Sequence, residues 1–175
     1  MIIKYHRLIE YTIIFIILVL FSFTTLNRNQ IWKNDFSLWS DVVKKSSNKA
    51  RPHNNLGRAY LTKKAFLQAF PYIKEALRIN PYFSYAHYNL GIAYQGIGLY
   101  DKALNEYKKA LYGTPQPYFA NVHNNMGVCY FEKGWTDLAI KEFKQALNIN
   151  PDFSDARFNL DFTLNYRVKG SSNSR

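Results

Sequence analysis

An internal disulfide is closed to this 175-residue chain, because Cys129 is its only cysteine. One thiol builds neither an internal disulfide framework nor a multi-cysteine zinc site. Acids are scarce too: 12 Asp and Glu stand against 23 Lys and Arg, a formal charge of +11. That balance disfavours an acidic binding tail and permits an anionic partner. No Gly-rich phosphate loop, zinc-protease pattern or nucleophile elbow occurs. The chain therefore does not read as an enzyme, and no catalytic residue, metal or cofactor is expected. What is present is a core-forming composition, 47% apolar and 20% charged, with 17% aromatic residues.

A long apolar run opens the chain. Lys4 and Arg7 precede it, and from Tyr11 to Phe23 no residue is charged. Leu8 to Leu26 counts 19 residues, interrupted only by Glu10. As a helix they rise roughly 28 Å, close to the thickness of bilayer hydrocarbon. Residues 1–30 thus read as one N-terminal transmembrane helix. A cleavable signal peptide shares the basic start and apolar middle, but its Ala-x-Ala-like cut is lacking around Ser22, Thr24 and Thr25. Arg28 and Lys33 balance the basic residues before the run, so flanking charge gives little orientation. The basic start favours a single-pass membrane protein with its body extracytoplasmic.

Internal repetition decides the rest. Asn54-Asn55-Leu56-Gly57-x-x-Tyr60 recurs as Tyr88-Asn89-Leu90-Gly91-x-x-Tyr94 and Asn124-Asn125-Met126-Gly127-x-x-Tyr130, with a degraded copy at Phe158-Asn159-Leu160-Asp161. The glycines lie 34 and 36 residues apart, and Ala69, Ala103 and Ala139 follow them by twelve. Ile73, Tyr107 and Phe143 come next, then Ala76, Ala110 and Ala146. Pro81, Pro115 and Pro151 close the copies. Small residues let two helices approach while large ones fill the space around them, and each proline ends the second helix.

This pattern resembles the tetratricopeptide repeat. The resemblance implies an all-α solenoid of helix hairpins, with repeats at 50–83, 84–117 and 120–153 and a C-terminal capping helix at 154–168. Helical apolar spacing in Asp35-x-x-Leu38-Trp39-x-x-Val42-Val43 places a juxtamembrane helix in 31–49, and the terminal tail at 169–175 should be disordered. Three departures stand out. His53, His87 and His123 replace the usual early tryptophan; two extra residues lengthen a turn near Gln116-Pro117-Tyr118-Phe119; and Pro71 should kink the second helix of the first repeat or delay its start. Phe158, Leu160, Phe162, Leu164, Tyr166 and Val168 alternate with polar residues as in a strand. Repeat register assigns them to a helix, which turns Phe158 and Phe162 outward or into the groove.

Residues 27–60, through Arg28-Asn29-x-x-Trp32, Leu38-Trp39-x-Asp41 and Arg51-Pro52-x-Asn54-Asn55-Leu56-Gly57, are similar to the junction before the repeat tail of polytopic, glycosyltransferase-like membrane proteins. That likeness implies an accessory or remnant of such a system.

Function is expected in the groove lined by the first helices: a membrane-anchored scaffold holding a protein or extended peptide segment. Asn55, Asn89, Asn125 and Asn159 share one position, and an Asn amide pairs with both groups of a peptide unit. The row resembles the asparagine ladder of repeat-bearing O-linked N-acetylglucosamine transferases. As exposed positions, Asn89 and Asn125 should be removable without unfolding. Arg51 and Arg58 would favour acidic residues, with Tyr85, Tyr88 and Phe131 adding apolar contact. Between Asp41 and Glu75 there is no acid, while eight Lys and Arg fall there. Anionic lipid or an acidic partner could therefore sit near Lys44–Lys64, making a polyanion or membrane-surface binder a further alternative; a nucleic acid is not expected. The three histidines stand about 10 Å apart in stacked repeats, too far to share a metal, and Cys129 reads as a buried inert thiol.

Overall fold

The computed structural model describes residues 2–31, 33–112 and 118–172. Among these residues the chain is helical throughout: α1 (Ile2–Ile31), α2 (Asp35–Lys45), α3 (Ala50–Thr62), α4 (Phe66–Ile79), α5 (Ser84–Gly96), α6 (Tyr100–Ala110), α7 (Phe119–Glu132), α8 (Thr136–Ile149) and α9 (Ser154–Ser172). Helices α3/α4, α5/α6 and α7/α8 form three antiparallel hairpins, and α9 follows as an unpaired first helix.

The repeat residues make the hairpins. A Cβ on Gly57 would lie 2.4 Å from Ile73, one on Gly91 2.4 Å from Tyr107, and one on Gly127 2.5 Å from Phe143. Ala69, Ala103 and Ala139 are fully buried on the facing helices. The missing side chains let the helix backbones close on a large apolar residue, and burying each such residue contributes roughly 1.5–3 kcal/mol. The turn between the helices is fixed by one left-handed residue seven after each of these glycines: Lys64 (φ 55°), Gly98 (φ 76°) and Gly134 (φ 75°).

Successive first helices, α3, α5, α7 and α9, touch one another, whereas α4, α6 and α8 do not. The array therefore curves with the first helices on its inner side. Before it, α2 packs on α3 as a preceding second helix would. Asn34 caps α2 by accepting from the Ser37 amide at 2.9 Å, and Phe36 meets Tyr60 edge-on at 5.1 Å.

Several expectations need correction. Among the described residues no helix is long and apolar enough to cross a membrane. Glu10 breaks the apolar run of α1, and the uncharged stretch Tyr11–Leu26 rises only about 24 Å against roughly 30 Å of hydrocarbon. The expected transmembrane helix, and with it a single-pass protein with extracytoplasmic repeats, is overturned by this. Pro71 lies exposed inside α4 without delaying it: α4, α6 and α8 each begin nine residues after their repeat glycine. The terminal helix runs to Ser172, so 169–172 are helical rather than disordered. The stop at Thr114-Pro115 and the lengthening at Gln116-Pro117 fall outside the described residues.

Candidate peptide groove

The inner face is built from α3, α5, α7 and α9. On α3, Arg51 and Arg58 are exposed with half-buried Asn55 between them. Arg58 has only a loose ion pair, 3.7 Å from Asp35 with both side chains more than half exposed. Such a pair contributes little and leaves the guanidinium available. Arg51 has no acidic partner among the described residues.

The asparagines behave differently from one another. Asn89 is buried and donates to Asn54 Oδ1 of the preceding repeat at 2.8 Å. Asn159 donates to Asn124 Oδ1 at 2.9 Å. At the middle junction Tyr88 stands where the other repeats have Asn54 and Asn124. Burial raises its phenol pKa, against hydrogen bonds with Asn121 and Asn125. The first and last junctions are thus each bridged by an asparagine pair between neighbouring first helices. Asn55 and Asn125 remain half-buried. Asn89 is not an open groove residue, since its amide is already engaged.

Tyr85 packs 4.2 Å from Tyr118 and lines a hollow of about 940 Å³ with Phe83, His87, Lys109 and Tyr118. Its polar groups are already engaged: His87 Nδ1 lies 2.6 Å and Lys109 Nζ 2.7 Å from Glu106. Tyr88 sits between Tyr107 and Tyr118, 6.1 and 5.4 Å away. Phe131 meets Phe162 at 5.6 Å and Tyr166 at 5.4 Å.

The histidines staple repeat edges. His53 Nε2 reaches Ser47 O at 2.8 Å and His87 Nε2 reaches Pro81 O at 2.9 Å, both six residues earlier; Arg157 donates to Pro151 O in the same way. His87 and His123 also pair with Glu106 and Glu142, nineteen residues on. In the first repeat that place is Tyr72, and His53 Nδ1 is buried without a partner. Cys129 is buried, and burial first, with Glu132 adding, pushes its thiol up to about 12. It is poorly poised as a nucleophile.

Comparison with known families agrees with this geometry. Tetratricopeptide-repeat family models match residues 50–83, 72–105 and 120–153. The chain is a tetratricopeptide-repeat protein. The first and third matches coincide with the repeats read from the sequence, while the middle one starts twelve residues earlier than expected. Such repeats are protein-interaction scaffolds rather than catalysts.

Human protein O-mannosyl-transferase TMTC3 is 30% identical over 95 residues, covering 54% of this chain and 10% of that protein. The Drosophila melanogaster counterpart is 30% identical over 101 residues, 58% of this chain and 11% of its own length. The matched stretch is thus about a tenth of these relatives. Among solved structures, YrrB, described as a repeat protein with an unusual peptide-binding site, superposes with a TM-score of 0.63 at 20% identity, covering 72% of this chain and 64% of that one. Pseudomonas aeruginosa PilF gives 0.71 at 16% identity, 86% and 68%. The second repeat domain of human RPAP3, solved with an HSP70 peptide, gives 0.57 at 15%, 63% and 91%. At these identities the likeness shows the fold.

Proposed function

We propose that the chain binds an extended segment of a partner protein along the inner face of α3, α5, α7 and α9. One observation carries this: exposed and half-buried recognition side chains, Arg51, Asn55, Arg58, Tyr88, Asn125 and Phe131, share the face where the first helices stack. Helices about 10 Å apart match roughly three residues of extended chain per repeat. The peptide-bound RPAP3 domain and the peptide site ascribed to YrrB support the reading. Arg51 and Arg58 bias it toward acidic segments, and the acid-free stretch reaching from Lys44 to Lys64 extends that bias beyond the groove. Photo-crosslinkers placed at Asn125 and, as an outer-face control, at Lys144 test it. Partner adducts should form from Asn125 alone; equal capture from Lys144 would move the contact surface elsewhere.

The similarity to protein O-mannosyl-transferases supports a second reading, in which the partner belongs to a glycosyltransferase system. Co-purification with such an enzyme, and loss of its glycan product when the chain is deleted, is the expected result. An unchanged glycan profile counts against it.

A further inference from the structure

We infer that the groove ends in an apolar anchor subsite between α7 and α9, which takes one large aliphatic or aromatic side chain of an acidic peptide whose carboxylates lie on Arg51 and Arg58. The inference rests on the peptide-binding reading and adds a second recognition point of opposite chemistry.

Equivalent positions make the contrast. Three residues before the repeat glycine stand Asn54, Tyr88 and Asn124, and in the last copy Phe158. One residue after it stand Arg58, Ile92 and Val128, and in the last copy Phe162. Asn54 and Asn124 are buried and bonded to the next first helix. Phe158 and Phe162 are instead 70% and 52% exposed. A terminal unit that served only as a cap would present a polar outer face.

The two rings are nonetheless ordered. They stack at 6.4 Å, and Phe162 meets Phe131 edge-on. Between them and Val128 lies a hollow of about 200 Å³, below the roughly 300–1,000 Å³ of small-molecule sites and suited to a single side chain. Polar groups around it are already used: Thr163 donates to Asn159 O, and the Asn159 amide to Asn124.

Charge fixes the orientation. Glu132 borders the hollow, while on α9 the exposed Asp155 and Asp161 are balanced by exposed Arg157 and Arg167. A carboxylate is therefore repelled from the hollow itself by Glu132 and attracted to the two arginines on α3. The span is about two and a half helix spacings of roughly 10 Å, or about seven to eight extended residues.

Fluorescence anisotropy on the full chain tests this with labelled synthetic peptides carrying two aspartates, a Gly-Ser spacer of stepped length and one terminal leucine. Binding should be tightest near a separation of seven to eight residues and weaken about tenfold when the leucine is replaced by alanine. Phe162→Ala should cause a similar loss with the leucine peptide and none with the alanine peptide, and Phe162→Leu should restore binding. Because Phe162 also touches Phe131, Phe158→Ala at the more exposed ring provides a second variant, with melting curves to check the fold. Arg51→Ala should weaken both peptides alike. Equal binding of leucine and alanine peptides overturns the subsite and leaves the groove standing. Failure of every peptide to bind the folded chain overturns the groove reading and the subsite with it.

Discussion

Lys64 occupies a backbone conformation that its counterparts, Gly98 and Gly134, adopt freely. A left-handed residue bearing a Cβ costs roughly 1–2 kcal/mol, and glycine returns part of that gain through greater unfolded-state entropy. Lys64→Gly should therefore stabilise the protein by about 0.5–1 kcal/mol in urea unfolding, and a loss of stability would refute the strain. Glu106 supports a second prediction. Burial alone would raise its pKa, but hydrogen bonds from His87 and Lys109 outweigh that and hold the carboxyl below its ordinary value. A carboxyl depressed on folding contributes stability above its unfolded pKa and loses it as pH falls through the folded one. Stability should thus drop below about pH 4.5 more steeply in wild type than in Glu106→Gln. Parallel curves for the two proteins would remove Glu106 from the acid response.

Hairpin geometry is where glycine matters most. Tyr107 fills the space a side chain on Gly91 would take, and its hydroxyl donates to Gln95 at 2.5 Å. Gly91→Leu must displace that ring, costing typically 1–3 kcal/mol or more, and a thermal midpoint equal to wild type would contradict the close approach. The bridge between neighbouring first helices gives a further prediction. Asn89→Ala leaves the buried Asn54 oxygen without its donor, which costs about 1–3 kcal/mol. This replaces the expectation that Asn89 is dispensable for folding. A double-mutant cycle with Asn54→Ala should show coupling between the two; additive losses would refute the bridge. Gly57, Gly91 and Gly127 with their alanines and prolines made the hairpins legible, because close packing demands small residues at a fixed period. Lateral partners were not legible: whether an Asn faces the groove or the next helix depends on a rotation of one residue, and composition does not encode it. The left-handed turn was half visible, as Gly98 and Gly134 share an offset that Lys64 masks. Helix α9 could be placed only by register, since its alternating aromatics mimic a strand.

Across the whole array the three repeats are unequal, and the inequality runs in one direction. The first combines a left-handed Lys64, a proline inside α4, a buried His53 nitrogen without a partner, and Tyr72 where the others carry glutamate. It also gathers five basic residues, Arg51, Arg58, Lys63, Lys64 and Lys74, before its first acid, Glu75, so repulsion adds to strain at low salt. The third has Gly134 at its turn, the His123–Glu142 pair and Phe143 fully packed against Gly127. In a linear array each unit contacts only its neighbours, so stability is a sum of local and interface contributions and need not be uniform. Native-state hydrogen exchange should accordingly show α3 and α4 opening at lower free energy than α7 and α8. Lys64→Gly should slow exchange in α3 and α4 while leaving α8 nearly unchanged, and added salt should narrow the difference between the ends. Uniform protection across the three hairpins would mean that the array unfolds as one unit and that the defects of the first repeat are shared by all.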